Sequence, residues 1–223
     1  METEAKLAFK DKDSLYGTAM ADFFRKLCND DSTPEPVLLE NTYLDTEDLN
    51  ISRRGGMIRV RHYSGSRGDS FEFTVKYGGG VSGSLHRRYE WNVKSNEGRF
   101  SMETFKQFAS YDEDPLEMLE EAFGNIKDDD LKVICSNSFT RTVYEISYGN
   151  SNIEACFDSG LISSSDGSRT DEICELELEL IKGDIKDLNN LTELFIEKTG
   201  CTPFEDTKYR RTLAMGMVDQ NGK

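Results

Sequence analysis

The sequence lacks the features that mark exported, membrane-spanning or zinc-binding proteins. It has no apolar run of membrane-spanning length and no apolar signal core near its first residues. Its five cysteines are odd in number and form no CxxC pair, so neither a disulfide framework nor a zinc site is indicated. We therefore expect a cytoplasmic protein with free thiols and no membrane partner.

Positive charge is also scarce. The 223-residue chain carries 27 Lys and Arg against 42 Asp and Glu, which gives a net charge of −15. This balance argues against nucleic acid as the main partner, but it still allows a small anion to bind at a local basic cluster. The length fits a single domain over residues 1–223.

Charged residues occupy alternate positions at the start of the chain. Within residues 1–10, Glu2, Glu4 and Lys6 alternate with small or apolar residues. Because a strand sends successive side chains to opposite faces, this segment would have one ionic and one apolar face if it is extended.

Similar segments recur along the chain and read as further strands. Turn-forming residues at 78–80, 149–150 and 163–167 divide them into hairpins, which favours an antiparallel order. The predicted strands are Glu2–Lys10, Val37–Asp45, Met57–Tyr63, Ser70–Tyr77, His86–Lys94, Val133–Tyr148, Asn152–Ile162, Glu172–Lys182 and Asp206–Leu213. Helical spacing of apolar residues predicts amphipathic helices over Ser14–Leu27, Met102–Phe108, Leu116–Phe123 and Asp184–Thr199.

The ionic faces of the predicted strands separate charge by sign. Arg59 and Arg61 share one face of their strand, whereas Glu175, Glu177 and Glu179 share a face of another. An ordinary two-layer protein would also alternate apolar and polar residues. Because a solvated face rarely sorts full charges strand by strand, we instead predict an inverted barrel, with charges inside and apolar faces outside beneath the helices.

Such an interior has consequences for binding. Buried charges are costly unless they are paired or coordinate an ion. Grouped Arg and Lys side chains therefore call for a polyanion, and grouped carboxylates call for divalent cations. Ligation by oxygen alone, without His or Cys, suits Mg²⁺ or Mn²⁺. A phosphate chain held by bases and bridged by metal to acids is the arrangement expected for phosphoryl transfer.

Eight short motifs then point to a known family. In chain order they are Glu2-x-Glu4-x-Lys6, Thr42-Tyr43-Leu44-Asp45-Thr46, Arg59-Val60-Arg61, Thr74-Val75-Lys76, Arg88-Tyr89-Glu90, Phe157-Asp158-Ser159-Gly160, Glu175-Leu176-Glu177 and Thr207-Lys208-Tyr209. Together they resemble the signatures of the CYTH superfamily, the triphosphate tunnel metalloenzymes.

The resemblance implies an α+β, mainly β fold: an eight-stranded antiparallel closed barrel whose tunnel binds a linear triphosphate with one or two Mg²⁺ or Mn²⁺ ions. The implied metal ligands are Glu2, Glu4, Asp158, Glu175 and Glu177. The implied substrate-binding residues are Lys6, Arg59, Arg61, Lys76, Arg88, Arg141, Lys208 and Arg210. Lys6 and Glu90 are the expected catalytic residues, Glu90 by orienting a water molecule.

Three functions remain open on the sequence. The leading expectation is hydrolysis of inorganic tripolyphosphate to pyrophosphate and phosphate. The alternatives are an enzyme of organic triphosphates, such as a thiamine triphosphatase or an adenylyl cyclase, and a polyphosphate- or nucleotide-binding module without turnover.

Overall fold

The alternating segments form a closed β-barrel. A computed structural model describes residues 2–64, 70–109, 116–123, 125–164 and 168–220. The strands are β1 (Glu2–Ala8), β2 (Val37–Thr46), β3 (Gly56–Ser64), β4 (Ser70–Ser82), β5 (Leu85–Ser95), β6 (Leu131–Tyr148), β7 (Ser151–Ser163), β8 (Thr170–Lys182) and β9 (Thr202–Pro203). They run in the order β5-β4-β3-β2-β6-β7-β8-β1-β9, and an antiparallel pairing of β1 with β5 closes the first eight strands of the chain into the predicted barrel.

Helices surround this barrel, most of them on its outside and the last one at one end. They are α1 (Lys12–Met20), α2 (Asp22–Arg25), α3 (Asn50–Arg53), α4 (Met102–Phe108), α5 (Leu116–Phe123), α6 (Ile185–Thr199) and α7 (Lys208–Gln220). Within the described ranges, no helix combines the length and the apolar character needed to cross a bilayer.

The main apolar cores lie between the outer wall and the helices. On one side, Leu7 of β1 and Leu176 of β8 pack in a buried cluster with Leu191 and Phe195 of α6. On the other side, the outward face of β3, β4 and β5 packs against α3, α4 and α5, with Trp91 buried in that cluster. The predicted inversion, with the apolar faces outward, is therefore confirmed.

The segment predicted as the last strand, Asp206–Leu213, is wrong. It contains the start of helix α7, and the Thr207 hydroxyl accepts a hydrogen bond from the Arg210 backbone N–H at 3.1 Å. A threonine in this position satisfies a free N–H of the first helical turn. Lys208 and Arg210 are two residues apart on a helix, so they cannot share a face as they would on a strand.

The hairpin between β4 and β5 turns later than predicted. Gly78, Gly79 and Gly80 belong to β4, and the register shifts between Tyr77 and Gly80. A Cβ atom at Gly79 would lie 1.8 Å from the Arg87 carbonyl oxygen, so this position requires glycine. The turn itself is made by residues 83–84, whereas the predicted turn at 149–150 is confirmed. The predicted turn at 163–167 falls partly outside the described residues.

Helix α7 occupies one end of the barrel. Lys208 and Tyr209, in its first turn, line the interior cavity. Further along the helix, Met215 packs against a small apolar cluster on the inner wall formed by Leu39, Phe139, Ile162 and Ile173. The interior is therefore ionic along much of its length, including beside Lys208, and apolar beside Met215 in the later turns of α7.

Candidate active site in the barrel interior

One cavity of about 320 Å³ runs through the barrel interior. Most of the charged residues predicted from the sequence line it. These are Glu2, Glu4, Lys6, Arg59, Arg61, Lys76, Arg88, Glu90, Arg141, Glu177 and Lys208. Asp158 and Glu175 are fully buried beside this set, where both contact the Lys208 ammonium.

Strand register decides which charges meet across the wall. β1 pairs with β8 so that Lys6 lies opposite Glu177 and Glu4 lies opposite Glu179. β7 pairs with β8 so that Glu154 also lies opposite Glu179. Directly opposed side chains on neighbouring strands are close enough to attract or repel one another. The register thus creates one paired and one repulsive zone on the same three strands.

The paired zone is centred on Lys208 and is named here the balanced cluster. Its members are Lys6, Arg141, Asp158, Glu175, Glu177 and Lys208. The Lys208 Nζ lies 2.8 Å from Asp158, 2.6 Å from Glu175 and 2.9 Å from Glu177.

Two further cations complete this cluster. Lys6 Nζ lies 2.7 Å from Glu177, and the Arg141 guanidinium donates twice to Asp158, at 2.7 and 2.6 Å. Arg141 also contacts Glu177, so that carboxylate faces three cations.

The pKa values in the balanced cluster follow from this pairing. Burial alone would raise the pKa of Glu177, but Lys208, Lys6 and Arg141 outweigh it and lower that pKa well below its ordinary value. Burial would likewise lower the pKa of Lys208, yet Asp158 and the two glutamates raise it. Glu177 and Lys208 therefore stay charged, and their charges compensate one another inside the protein.

The repulsive zone is named here the acid-rich region and consists of Glu2, Glu4, Glu90, Glu154 and Glu179. Lys76 is the cation at its centre, with its Nζ 2.6 Å from both Glu2 and Glu90. Burial, together with Glu4 and Glu90, outweighs Lys76 and raises the pKa of Glu2 well above its ordinary value. This part of the cavity thus holds more carboxylates than its own cation can balance.

Glu179 shows the same excess of negative charge. Burial is the largest cause, and the neighbouring carboxylates of Glu90, Glu4 and Glu154 add to it, raising the pKa of Glu179 to about 7. Lys76 lowers this pKa but does not outweigh burial and the three carboxylates.

The arginines form a third group, named here the arginine group: Arg59, Arg61 and Arg88. Arg61 is buried, donates from Nε to Asn41 at 2.8 Å, and makes no ion pair with a carboxylate within the described ranges. Burial and the nearby guanidinium groups of Arg59 and Arg141 lower its pKa. Arg59 Nε is also buried without a hydrogen-bond partner in the part of the chain that the structure describes.

Whether a divalent cation suits this cavity depends on which carboxylates have free oxygens. Among the described residues, no three His, Cys, Asp or Glu side chains already converge as a formed metal site. Asp158 and Glu175 are occupied by cations, since Arg141, Lys208 and Arg211 contact them. The acid-rich region fits better, because its donors are all carboxylate oxygens and a cation would relieve the repulsion there.

Glu90 and Lys6, the predicted catalytic pair, are both charged. Burial opposes ionisation of Glu90, but Lys76 outweighs it and lowers the pKa of Glu90 below its ordinary value. The Asn92 amide donates to Glu90 at 2.8 Å and fixes its orientation. Burial would lower the pKa of Lys6, yet Glu177 and Glu4 raise it. Glu90 is therefore a weak base that can accept hydrogen bonds, and Lys6 is a fixed positive charge.

The structure places Arg210, a predicted site residue, outside the barrel interior. Its side chain is 70% exposed and lies 3.8 Å from Asp206. Because α7 is a helix, the residue that joins Lys208 in contacting Glu175 is Arg211, which also contacts Asp171. Helical spacing of three residues from Lys208 is the signal that could have identified it.

Comparisons with known proteins agree with this geometry. The fold and its charges define a closed antiparallel barrel with an ionic interior, and residues 2–213 match the family model described as the CYTH domain. The chain therefore belongs to the CYTH family.

One curated relative and several solved structures are similar to this chain. An inorganic triphosphatase of Haemophilus influenzae is 29% identical over 157 residues, which cover 70% of this chain and 40% of that protein. The chain thus matches only about two fifths of the length of that relative. A Hippeastrum protein, studied as a candidate adenylyl cyclase and described as having a dominant triphosphatase activity, superposes with a TM-score of 0.67 at 14% identity, covering 97% of both chains. A candidate adenylate cyclase of Bacillus halodurans superposes with a TM-score of 0.58 at 18% identity, covering 95% of this chain and 96% of that one. At these identities the two structures show a shared fold.

Proposed function

We propose that this protein hydrolyses inorganic tripolyphosphate to pyrophosphate and phosphate with the help of a divalent cation, Mg²⁺ or Mn²⁺. The observation that carries the proposal is the juxtaposition of the arginine group and the acid-rich region in one cavity. Arg61, which is buried and makes no ion pair with a carboxylate among the described residues, favours an anion. The enclosed carboxyl groups of Glu2 and Glu179, whose pKa values are raised, favour a cation. A metal-bound triphosphate supplies both charges at once.

The arginine group and the lysines would hold the phosphate chain. Arg59, Arg61 and Arg88 offer guanidinium forks that can each contact two phosphate oxygens, whereas Lys6 and Lys76 offer point charges. Such contacts neutralise negative charge on the phosphoryl group as it is transferred, and most of the catalysis of phosphoryl transfer consists of this neutralisation and of positioning.

The acid-rich region would hold the cation. Glu2 and Glu4 of β1 retain the ligand role that the sequence predicts, and Glu179 joins them. It takes the place of the predicted ligands Asp158, Glu175 and Glu177, whose carboxylates contact cations of the protein. The cation supplies Lewis-acid polarisation of a phosphate oxygen and lowers the pKa of a bound water. Glu90, ionised and held by Asn92, orients the attacking water by accepting a hydrogen bond from it. Because its pKa is lowered, Glu90 is a weak proton acceptor.

A substrate comparison tests the proposal. The purified protein is given tripolyphosphate, thiamine triphosphate or ATP, each with Mg²⁺, with Mn²⁺ or with a chelator, and phosphate, pyrophosphate and cyclic nucleotide are measured. We expect tripolyphosphate to have the highest kcat/KM and the chelator to abolish turnover. Conversion of ATP to a cyclic nucleotide, or preferred hydrolysis of thiamine triphosphate, would reassign the substrate. No turnover with tight tripolyphosphate binding would instead indicate a binding module.

A pair of arginine variants provides the matched control. Arg61→Gln removes a buried guanidinium from the cavity, whereas Arg53→Gln removes an exposed one on α3, whose side chain is 70% accessible. We expect kcat/KM for tripolyphosphate to fall about 100-fold in Arg61→Gln, the scale of one lost charge-stabilising donor. The Arg53 variant should match the native protein. Equal activity in both variants would remove the arginine group from the proposal.

A further inference from the structure

A chain of buried amides connects the arginine group to helix α7. Arg61 Nε donates to Asn41 Oδ1 at 2.8 Å, and Asn41 Nδ2 donates to Asn137 Oδ1 at 2.9 Å. Asn137 Nδ2 then donates to Thr212 Oγ1 at 2.8 Å, and the Thr212 hydroxyl donates to the Lys208 carbonyl oxygen at 2.6 Å. A continuous series of hydrogen bonds thus joins the guanidinium of Arg61 to the backbone of Lys208.

Each member of this series is enclosed. Asn41 is 1% exposed, Thr212 2% and Asn137 7%. Buried polar side chains are expensive unless their hydrogen bonds are satisfied, so this arrangement has few alternatives of similar energy. Asn137 also donates to the Tyr43 hydroxyl at 3.3 Å, which places the tyrosine of the Thr42–Thr46 motif beside the same series.

The series spans separate elements of the fold. Asn41 and Asn137 are directly opposite each other in the pairing of β2 with β6, Arg61 is opposite Asn41 in the pairing of β3 with β2, and Thr212 belongs to α7. Adjacent strands fix the two asparagines relative to the wall. Thr212, in the second turn of α7, joins the helix to that wall. It lies on the same side of the helix as Lys208, which lines the cavity.

We infer that Asn41, Asn137 and Thr212 are positioning residues that hold Arg61 and Lys208 in one fixed relation. Neither asparagine needs to touch the substrate. The amide of Asn41 directs the Arg61 fork, and Thr212 sets the position of the helix turn that carries Lys208. Loss of one link should therefore weaken binding of a phosphate chain that Arg61 contacts. This inference rests on the proposed function, because it concerns the same anion site.

Thr212→Val is the informative substitution, since it replaces the hydroxyl by a methyl group of similar size. Thr192→Val is its matched control: Thr192 is also buried on a helix and donates to the carbonyl four residues earlier, Leu188, at 2.8 Å, but it lies in α6, remote from the series. Binding of tripolyphosphate is measured by calorimetry without divalent cation, so that no turnover is needed. We expect Kd to rise about fivefold in Thr212→Val, the scale of one hydrogen bond, and to stay unchanged in Thr192→Val. Thr212→Ser, which keeps the hydroxyl, should restore the native Kd.

A double-mutant cycle separates positioning from general destabilisation. In an Arg61→Ala background, Thr212→Val should raise Kd less than about twofold, because the group that the series directs is already gone. The same fivefold change in both backgrounds would overturn the inference, as would an unchanged Kd in Thr212→Val. If the valine variant does not fold by circular dichroism, Thr212→Ala removes the same hydroxyl in a residue that favours helix and takes its place.

A ligand-free measurement keeps this test distinct from that of the proposed function. If the native protein binds tripolyphosphate neither without divalent cation nor with Mg²⁺, the proposed function is wrong. The series is then tested by urea unfolding alone. We expect Thr212→Val to lower the urea midpoint less in the Arg61→Ala background than in the native one, and equal shifts would show that the two side chains are independent.

Discussion

The balanced cluster and the acid-rich region lie in the same cavity, yet their charges are compensated in different ways. In the balanced cluster, Lys208 has three carboxylates within 3 Å and the ionised forms stabilise one another. In the acid-rich region, Lys76 contacts two carboxylates, and burial together with the neighbouring carboxylates outweighs it and raises the pKa of Glu179 to about 7. Ion pairing among buried groups therefore distinguishes the balanced cluster, whose charges satisfy one another, from the acid-rich region, whose carboxylates exceed the available cation.

Removing the central cation of the balanced cluster should have the largest effect. Lys208→Met leaves Asp158, Glu175 and Glu177 short of one positive charge in a buried site. We expect a loss of about 3–5 kcal/mol in the free energy of unfolding, measured by urea denaturation, and no recovery on adding Mg²⁺. Lys198→Met, at an exposed ion pair on α6, is the control and should change stability by less than about 1 kcal/mol. Equal effects in the two variants would contradict the division between the two regions.

Neutralising one carboxylate of the acid-rich region should affect activity rather than folding. Glu4→Gln removes a proposed metal ligand and relieves repulsion among the neighbouring acids. Lys6, which lies 3.1 Å from Glu4, keeps its ion pair with Glu177 in this variant. We expect metal-dependent kcat/KM to fall at least about 100-fold while the urea midpoint stays the same or rises. Glu193→Gln, on the exposed face of α6, is the control. Normal turnover in the Glu4 variant would remove this residue from the site.

The raised pKa of Glu179 predicts a specific pH dependence. Its value of about 7 in the folded protein lies above its ordinary value of 4.5, so between these two pH values the folded state binds more protons than the unfolded state. The contribution of Glu179 to stability is therefore fully present below about pH 4.5 and is lost as the pH rises through about 7.

The contribution of Glu179 is isolated by the difference in unfolding free energy between the native protein and Glu179→Gln. Without divalent cation, this difference should change by on the order of 2–3 kcal/mol as the pH rises from below 4.5 to above about 7. With saturating Mg²⁺ the change should shrink, since the cation displaces the proton. A difference that is flat with pH in the absence of metal would show that Glu179 titrates normally.

Arg210 offers the smallest expected effect and the sharpest check on α7. Because its side chain is exposed and lies 3.8 Å from Asp206, Arg210→Ala should change stability by less than about 0.5 kcal/mol and leave tripolyphosphate KM unchanged. Arg211→Ala, one residue further, removes a group that contacts Glu175 and Asp171 and should destabilise the fold measurably. The opposite ranking would favour the strand that the sequence predicts in place of this helix.

Strand alternation was sufficient to predict which side of the wall each charge faces. Eight strands, the outward aromatic residues and the inward positions of Arg59, Lys76 and Glu177 all follow from a period of two. The alternation of Lys208 and Arg210 was too short to distinguish a strand from the first turn of a helix. Thr207, a residue type favoured at the N-cap of a helix, was the local sequence signal for the helix.

Sequence alone could not supply the register, and the register decides which charges are paired. Moving β8 by two residues would place Glu177, instead of Glu179, opposite Glu4, with no change in the residues facing inward. The predicted metal ligands therefore included Asp158 and Glu175, whose oxygens the folded protein assigns to Lys208, Arg141 and Arg211. The positions of the two buried asparagines likewise became informative only once β2 and β6 were paired.

The main apolar cores lie outside the barrel wall, and this arrangement bears on how the protein can evolve. In most small barrels a substitution in the interior also disturbs the core, so new chemistry and folding stability compete for the same positions. Here the aromatic and aliphatic packing is largely assigned to the outer layer beneath the helices. Replacements in the acid-rich region and the arginine group can therefore change ligand preference while the scaffold persists, which makes one architecture suitable for divergent substrates.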